Sequence, residues 1–171
     1  KRARAISHRD MIRFRRFFQF LHGQTGGSVQ EPVPEHKLTA AFQVACGLTY
    51  MLSLPRAERP KLDHCVMSTL QDLKLSPVGK GGVEACLQSQ IDLYCDHVRW
   101  PAGIAKTKQL CENVYAIILC MQCRVPITIV GPPGCGKTLA TSIVFATLTG
   151  QDAPRFFQNF HCVAGDVTRV Q

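Results

Sequence analysis

Eight consecutive residues carry the most specific chemistry in this chain: Gly131-Pro132-Pro133-Gly134-Cys135-Gly136-Lys137-Thr138. They fit G-x-x-x-x-G-K-[ST], a loop that cradles phosphates. Each residue type has a reason to be there. Glycines accept positive φ and let phosphate oxygens approach the backbone amides. Successive N–H groups then form an anion-binding nest, continued by the N-terminus of the following helix. Lys137 supplies a cation for the β- and γ-phosphates, and the Thr138 hydroxyl suits Mg²⁺ coordination. The chemistry implied is ATP binding with Mg²⁺, with residues 131–138 as the cofactor-binding set and Thr138 as the metal contact.

Hydrolysis asks for more. It needs an acidic strand end to hold Mg²⁺ and position water, and often an arginine finger. No apolar run ending in Asp or Glu follows residue 138. Asp166, after "FHCVAG", stands alone and is not counted as that acid. No catalytic residue is therefore assigned, and turnover is expected only in a larger parent.

The loop needs elements to hold it. Pro126–Val130 is a short apolar, β-branched run that reads as a buried strand. Residues 137–149 read as a helix ended by Gly150, and a second strand is expected within Phe160–Ala164. Strand, phosphate loop, helix, strand is the opening βαβ unit of an α/β nucleotide-binding core. Upstream, residues 107–123 read as a helix with Leu110, Val114, Ile117, Ile118 and Met121 on one face.

The first hundred residues read as all-helical. Ser7 is an N-cap with Asp10 as its capping-box-like partner, and Met11, Phe14, Phe18 and Leu21 form the apolar stripe up to Gly23. A second helix carries Leu38, Ala41, Phe42, Ala45, Leu48, Thr49 and Leu52. A third runs from about Leu62 to Leu73, and a fourth carries Val83, Cys86, Leu87, Ile91, Tyr94, Cys95 and Val98. The fold class expected is thus α/β, with a helical lid and linker region over 1–100 and the N-terminal, incomplete part of a P-loop nucleotide-binding domain over 101–171.

Bulk properties narrow the function. The chain has 171 residues, 46% of them hydrophobic and 19% charged, with a net charge of +8. That composition belongs to a folded domain. Residues 1–16 hold seven Lys/Arg and one acid, a local charge of +6 that leaves +2 for the remainder. The basicity is therefore local, which weakens a nucleic-acid reading. Phe14, Phe17 and Phe18 among the arginines suit a helix core better than base stacking. The same Arg-rich start is transit-peptide-like, but Asp10 counts against that reading.

The longest apolar run, Val114–Met121, has eight residues, against the ~20 that a bilayer needs. An odd count of nine cysteines at irregular spacing, without a secretory signal, favours reduced thiols and a cytoplasmic setting. Cys120-Met-Gln-Cys123 lacks a second pair at zinc spacing and reads as helix packing. Cys135, inside the phosphate loop, reads first as a small filler, with a redox or alkylation switch as the alternative.

"GPPGCGKT" is similar to the phosphate loop of AAA+ ATPases, notably in its Pro-Pro. The run "LCENVYAIILCMQCRVPITIVGPPGCGKTLATSIVFATLTGQDAPRFF" resembles the start of an ATPase module in the mysterin-like giant AAA+ ubiquitin ligases. "ISHRDMIRFRRFFQFL" resembles the helical lid of a preceding module, and "LTAAFQVACGLTYMLSLP" the helix after it. These stretches cover about half of the chain. The resemblance implies a junction between two modules, ATP as nucleotide, and other AAA+ modules of the same chain or ring as partners. It also implies that Arg9 is the lid arginine that reaches a γ-phosphate, though of a module before Lys1. The 171 residues hold no RING-like Cys/His array, so any ubiquitin ligation would belong to a larger parent. The competing reading is a non-enzymatic helical scaffold with a vestigial phosphate loop.

Overall fold

The computed structural model describes residues 6–24, 34–79 and 81–149. Every regular element among them is helical: α1 (His8–Gln24), α2 (Glu35–Thr49), α3 (Arg59–Asp72), α4 (Gly82–His97), α5 (Lys108–Gln122) and α6 (Lys137–Thr149), with two 3₁₀ turns, Met51–Ser53 and Arg56–Glu58. The described residues form two compact units, divided between Gln90 and Ile91 midway along α4.

In the first unit, α1 starts at the expected cap. The Asp10 backbone N–H donates to Ser7 Oγ at 3.2 Å, and the Ser7 N–H donates back to Asp10 Oδ2 at 3.1 Å. The expected apolar stripe is displaced by part of a turn. Phe17 and Leu21 are buried, whereas Met11 is 59% exposed. Phe14 and Phe18 instead meet the edge of Phe42 on α2, at 5.4 and 6.5 Å. Asp10 is buried too, because its capping bonds satisfy the carboxylate. The helix continues through Gly23 to Gln24, one residue beyond its expected stop.

Helix α2 is the centre of this unit and is buried almost all round from Ala41 to Thr49. Its polar positions survive burial by bonding. Gln43, fully buried, accepts from the Val78 N–H at 2.9 Å and points its amide nitrogen at Met67 Sδ. Gly47 lies against Leu87 of α4, so close that a β-carbon there would sit 3.0 Å from Leu87 Cδ2. Burial pushes the Cys46 thiol from 9.0 up to about 12. A pKa raised by folding adds stability below the unfolded-state value near 9, and that stability is lost as pH rises toward 12. The urea midpoint of the wild type is thus expected to fall more between about pH 8 and pH 11 than that of Cys46→Ala; parallel curves would refute this.

Helix α4 is capped from a distance. Asp63 on α3 accepts from the Val83 N–H at 2.6 Å and the Glu84 N–H at 3.4 Å. Gly82, at φ +70°, leaves room for that carboxylate, which a side chain would strike. Asp63→Ala should cost about 1–2 kcal/mol, like the loss of an N-cap. Chemical denaturation tests this, and a change under ~0.3 kcal/mol would mean that water replaces the cap equally well.

In the second unit, α5 is the buried axis, covered from Leu110 to Cys120 except at Ala116. Thr107 caps it by accepting from the Leu110 N–H at 3.3 Å. Tyr94 and Tyr115 meet edge to face at 5.0 Å. From α6, Ala140, Ile143, Val144 and Thr147 complete the core. Thr147 Oγ1 donates to the Ile143 carbonyl at 2.8 Å and accepts from the Arg99 N–H at 3.2 Å. At the end of α5 the chain reverses through Arg124 at φ 52°, and the Val125 N–H returns to the Cys120 carbonyl at 2.8 Å. That is the six-to-one bond of a Schellman stop, with Val125 tucked into the core.

The α/β expectation is corrected here. Residues 126–130 do not form a strand, and no βαβ unit is present among the described residues. Val130 is 89% exposed rather than buried. A strand is a property of a pair, because its N–H and C=O groups need a neighbour about 4.8 Å away. Among the described residues no backbone hydrogen bond ties 126–130 to another segment. The β-branched run has strand composition without a ladder to join. The second expected strand, Phe160–Ala164, lies outside the described residues.

Candidate functional site

The loop from Gly131 to Gly136 feeds directly into α6. A turn bond from the Cys135 N–H to the Pro132 carbonyl, 3.4 Å, folds it. Gly134 and Gly136 take φ of 80° and 79°, the left-handed region in which a side chain is strained. The Gly136 carbonyl then accepts from the Ala140 N–H at 2.8 Å, starting the helix. Gly131 has a separate reason to be glycine, since a β-carbon there would lie 2.8 Å from Cys135 Sγ.

Lys137 is the first residue of α6, and its side chain folds back over the loop. Nζ donates to the Gly131 and Pro132 carbonyls, both at 2.8 Å, and lies 3.5 Å from Cys135 Sγ. The ammonium therefore sits across the loop, held by carbonyl oxygens that an anion would displace. Pro132, Pro133, Gly134 and Thr138 are exposed, and Gly131, Cys135 and Gly136 are half-buried. The eight residues singled out in the sequence are thus brought together as one continuous turn at a helix N-terminus.

A neighbouring segment joins them. Gly103, Ile104, Ala105 and Thr107, with Leu110 of α5, line a cleft of about 340 Å³ with Gly134, Cys135, Gly136 and Leu139. Leu110 Cδ1 would lie 3.2 Å from a β-carbon at Gly136, which fixes how closely α5 approaches the loop. The segment is shaped by its own turns. Gly103 has φ 78°, the Ile104 N–H reaches the Pro101 carbonyl at 3.4 Å, and the Thr107 N–H reaches the Ala105 carbonyl at 2.9 Å. Trp100 Nε1 donates to the Cys95 carbonyl at 2.8 Å, and Lys106 lies 5.3 Å from the centre of that indole ring. The sequence reading gave this segment no role and missed its position beside the phosphate loop. No local signal could have supplied that position, because it depends on the packing of α5 against α6. A roomier cleft of about 590 Å³ lies on the first unit, lined by Ile6, Met11, Ile12, Phe14 and Tyr50 among others, and contains no residue of the loop.

Cys120 is buried and Cys123 half-buried at the end of α5. Among the described residues, no group of three or more His, Cys, Asp or Glu side chains is arranged to hold a metal ion. None of the eight described cysteines is in a disulfide. No helix among the described residues is long and apolar enough to cross a membrane.

Two left-handed glycines thus deliver a lysine to a helix N-terminus, at the positions of the G-x-x-x-x-G-K-[ST] motif. Residues 103–167 match the family described as the RNF213 AAA domain. Over 62 residues the chain is 39% identical to human E3 ubiquitin-protein ligase RNF213, covering 36% of this chain and 1% of that protein. Over 72 residues it is 35% identical to the Mus musculus protein of the same name, covering 42% and 1%. It is also 48% identical over 44 residues, 26% of this chain and 1% of the other, to a Dictyostelium discoideum protein named as an uncharacterized transmembrane protein. The chain thus spans about 1% of the length of the curated relatives it matches. The resemblance to the mysterin-like giant AAA+ proteins is borne out, and it supports reading this chain as similar to a segment of such a protein.

Proposed function

We propose that residues 131–138 bind Mg-ATP as part of an AAA+ module. The observation that carries this reading is the Lys137 ammonium held across the loop by the Gly131 and Pro132 carbonyls. Backbone amides of Gly131, Gly134, Cys135 and Gly136 would face the phosphates, with Pro132 and Pro133, which have no N–H, stiffening the turn. Lys137 would leave its carbonyl partners for the β- and γ-phosphate oxygens. The fit to phosphate rests on the left-handed glycines and on that cation. The fit to Mg²⁺ is thinner, since Thr138 offers one hydroxyl and the remaining ligands would be phosphate oxygens and water. The bound ion would screen phosphate charge and leave the binding itself to the loop.

The cleft formed by residues 103–107 and the loop gives the rest of the nucleotide a place beside its phosphates. In this reading residues 101–171 are the N-terminal part of the nucleotide-binding domain, and residues 1–100 are a lid and linker, in a cytoplasmic setting with other AAA+ modules as neighbours. Hydrolysis requires an acidic Mg²⁺ ligand and a positioned water, and no residue here is assigned either task. The ubiquitin-ligase activity in the relatives' names is likewise assigned to no residue of this chain. Titration with a fluorescent ATP analogue and Mg²⁺ tests the proposal: a saturable signal is expected, displaced by unlabelled ATP.

One observation favours the competing scaffold reading. Ile6, Met11 and Ile12 expose apolar surface at the start of α1, as interaction faces do. A scaffold with a vestigial loop would give no saturable nucleotide signal in the same titration.

A further inference from the structure

Helix α1 carries an outer face that its own unit leaves open. His8, Met11, Ile12 and Arg15 fall at i, i+3, i+4 and i+7, so they share one side of the helix over about two turns. With Ile6, Phe14 and Tyr50, the residue that ends α2, they line the open cleft of about 590 Å³ on the first unit. Phe14 and Tyr50 are half-buried and give the cleft its depth, and Phe14 is held by the edge of Phe42 at 5.4 Å. The rim is apolar and uncovered: Ile6 is 67%, Met11 59% and Ile12 43% exposed. Single exposed apolar residues are ordinary, whereas three around one concavity mark a contact surface.

Charge marks the occupant. Helix α1 holds four arginines, Arg9, Arg13, Arg15 and Arg16, against one acid, Asp10. Asp10 is buried and accepts from the Ser7 N–H at 3.1 Å and the Ser7 hydroxyl at 2.8 Å, so its carboxylate is engaged in the cap. Arg9, Arg15 and Arg16 are exposed, and Arg15 stands in the cleft itself. The field at the rim is therefore cationic, and a complementary partner carries acids. The form of the partner follows from the backbone. A helix bonds its own N–H and C=O groups internally and offers no edge for an added strand. A second helix laid along α1 can instead seat its own i, i+3, i+4 and i+7 side chains in the cleft.

We propose that this cleft docks an acidic amphipathic helix of a partner protein. The partner's apolar stripe lies on Ile6, Met11, Ile12 and Tyr50, and its carboxylates pair with Arg15 and the flanking arginines. A bilayer is the other surface that basic amphipathic helices meet. It takes a convex apolar ridge, whereas here the apolar rim surrounds a concavity walled by Tyr50 at the end of α2. The cleft shares no residue with the phosphate loop, so the proposal stands whether or not that loop binds nucleotide.

The test uses the full chain and a fluorescein-labelled model peptide of about 18 residues, or five helical turns. The peptide has leucines at i, i+3, i+4 and i+7 spacing, with glutamates and alanines elsewhere. Fluorescence anisotropy should show saturable binding that weakens as salt rises. Ile12→Asp and Arg15→Glu should each lower the affinity by about tenfold or more, as loss of a central interface residue does. Both residues are exposed, so the urea midpoints of these variants should stay close to wild type. Leu73→Asp, at an exposed apolar residue outside the cleft, should bind as wild type does. The same peptide with lysines in place of glutamates should bind at least about tenfold more weakly. Absence of a saturable signal, equal binding of the lysine peptide, or an equal loss with Leu73→Asp overturns the proposal. Binding to phosphatidylserine–phosphatidylcholine vesicles that Ile12→Asp abolishes, with none to the peptide, overturns it in favour of a membrane contact. Self-association that Ile12→Asp abolishes, again with no peptide binding, overturns it in favour of a second copy of the chain.

Discussion

Lys137→Ala should lower the affinity for Mg-ATP by at least about 100-fold, beyond the range of an ordinary titration. In the proposed complex two charge-assisted bonds to phosphate oxygens would replace the two that Nζ now makes with the Gly131 and Pro132 carbonyls. Each such bond contributes about 1.5–3 kcal/mol net, and every 1.4 kcal/mol is about tenfold in Kd. Removing both, with the cation, therefore costs about 3 kcal/mol or more. The fold should survive, since Lys137 is half-buried at the start of α6 and the α6 core residues Ala140, Ile143, Val144 and Thr147 are untouched. Circular dichroism then separates lost binding from lost structure. Lys137→Arg is the informative partner: it keeps the charge but replaces a compact ammonium with a planar fork, and should bind measurably but more weakly. If Lys137→Ala binds as tightly as wild type, residues 131–138 are not the nucleotide site.

The second large effect is structural. Tyr115→Ala should destabilise the second unit by about 3–5 kcal/mol, as truncation of a large buried aromatic does. Tyr115 is fully buried on α5 and meets Tyr94 of α4 edge to face at 5.0 Å, a contact worth about 0.5–1.5 kcal/mol beyond burial. Domains of ordinary stability hold about 5–15 kcal/mol in total, so this change takes a large share. Met11→Ala is the control, because Met11 is 59% exposed and exposed substitutions usually move stability by less than about 0.5 kcal/mol. Urea denaturation gives both numbers. A loss below ~1 kcal/mol for Tyr115→Ala would mean that the ring is not a core contact. Because Tyr115 lies in the same unit as the phosphate loop, nucleotide binding should weaken only as far as folding is lost.

The two experiments bear on different sources of information. Lys137 was legible from its neighbours in sequence. A Gly-x-x-x-x-Gly-Lys-Thr run dictates a turn, a helix start and a lysine beside the turn, and all three depend on covalent neighbours and backbone freedom. Ser7 with Asp10 was legible for the same reason, since a capping box closes within one helical turn. Tyr115 was not singled out. Its window is apolar nearly all round, so periodicity identified a helix without showing which face meets α4. Met11 was placed on the apolar stripe of α1 on the same grounds: its exposure is decided by where α2 lies, and α2 belongs to another part of the chain.

Sequence alone determined the helices, the Ser7 cap, the glycine turn that precedes Lys137 and the AAA+ resemblance, because each is written in residues a few positions apart. Tertiary structure alone decided the rest. It set the Gly103–Thr107 segment beside the loop, brought Tyr94 to Tyr115, and left 126–130 without strand pairing among the described residues. Clefts, ring pairs and β-ladders each need two segments to meet, and the free energy of that meeting resides in neither segment by itself.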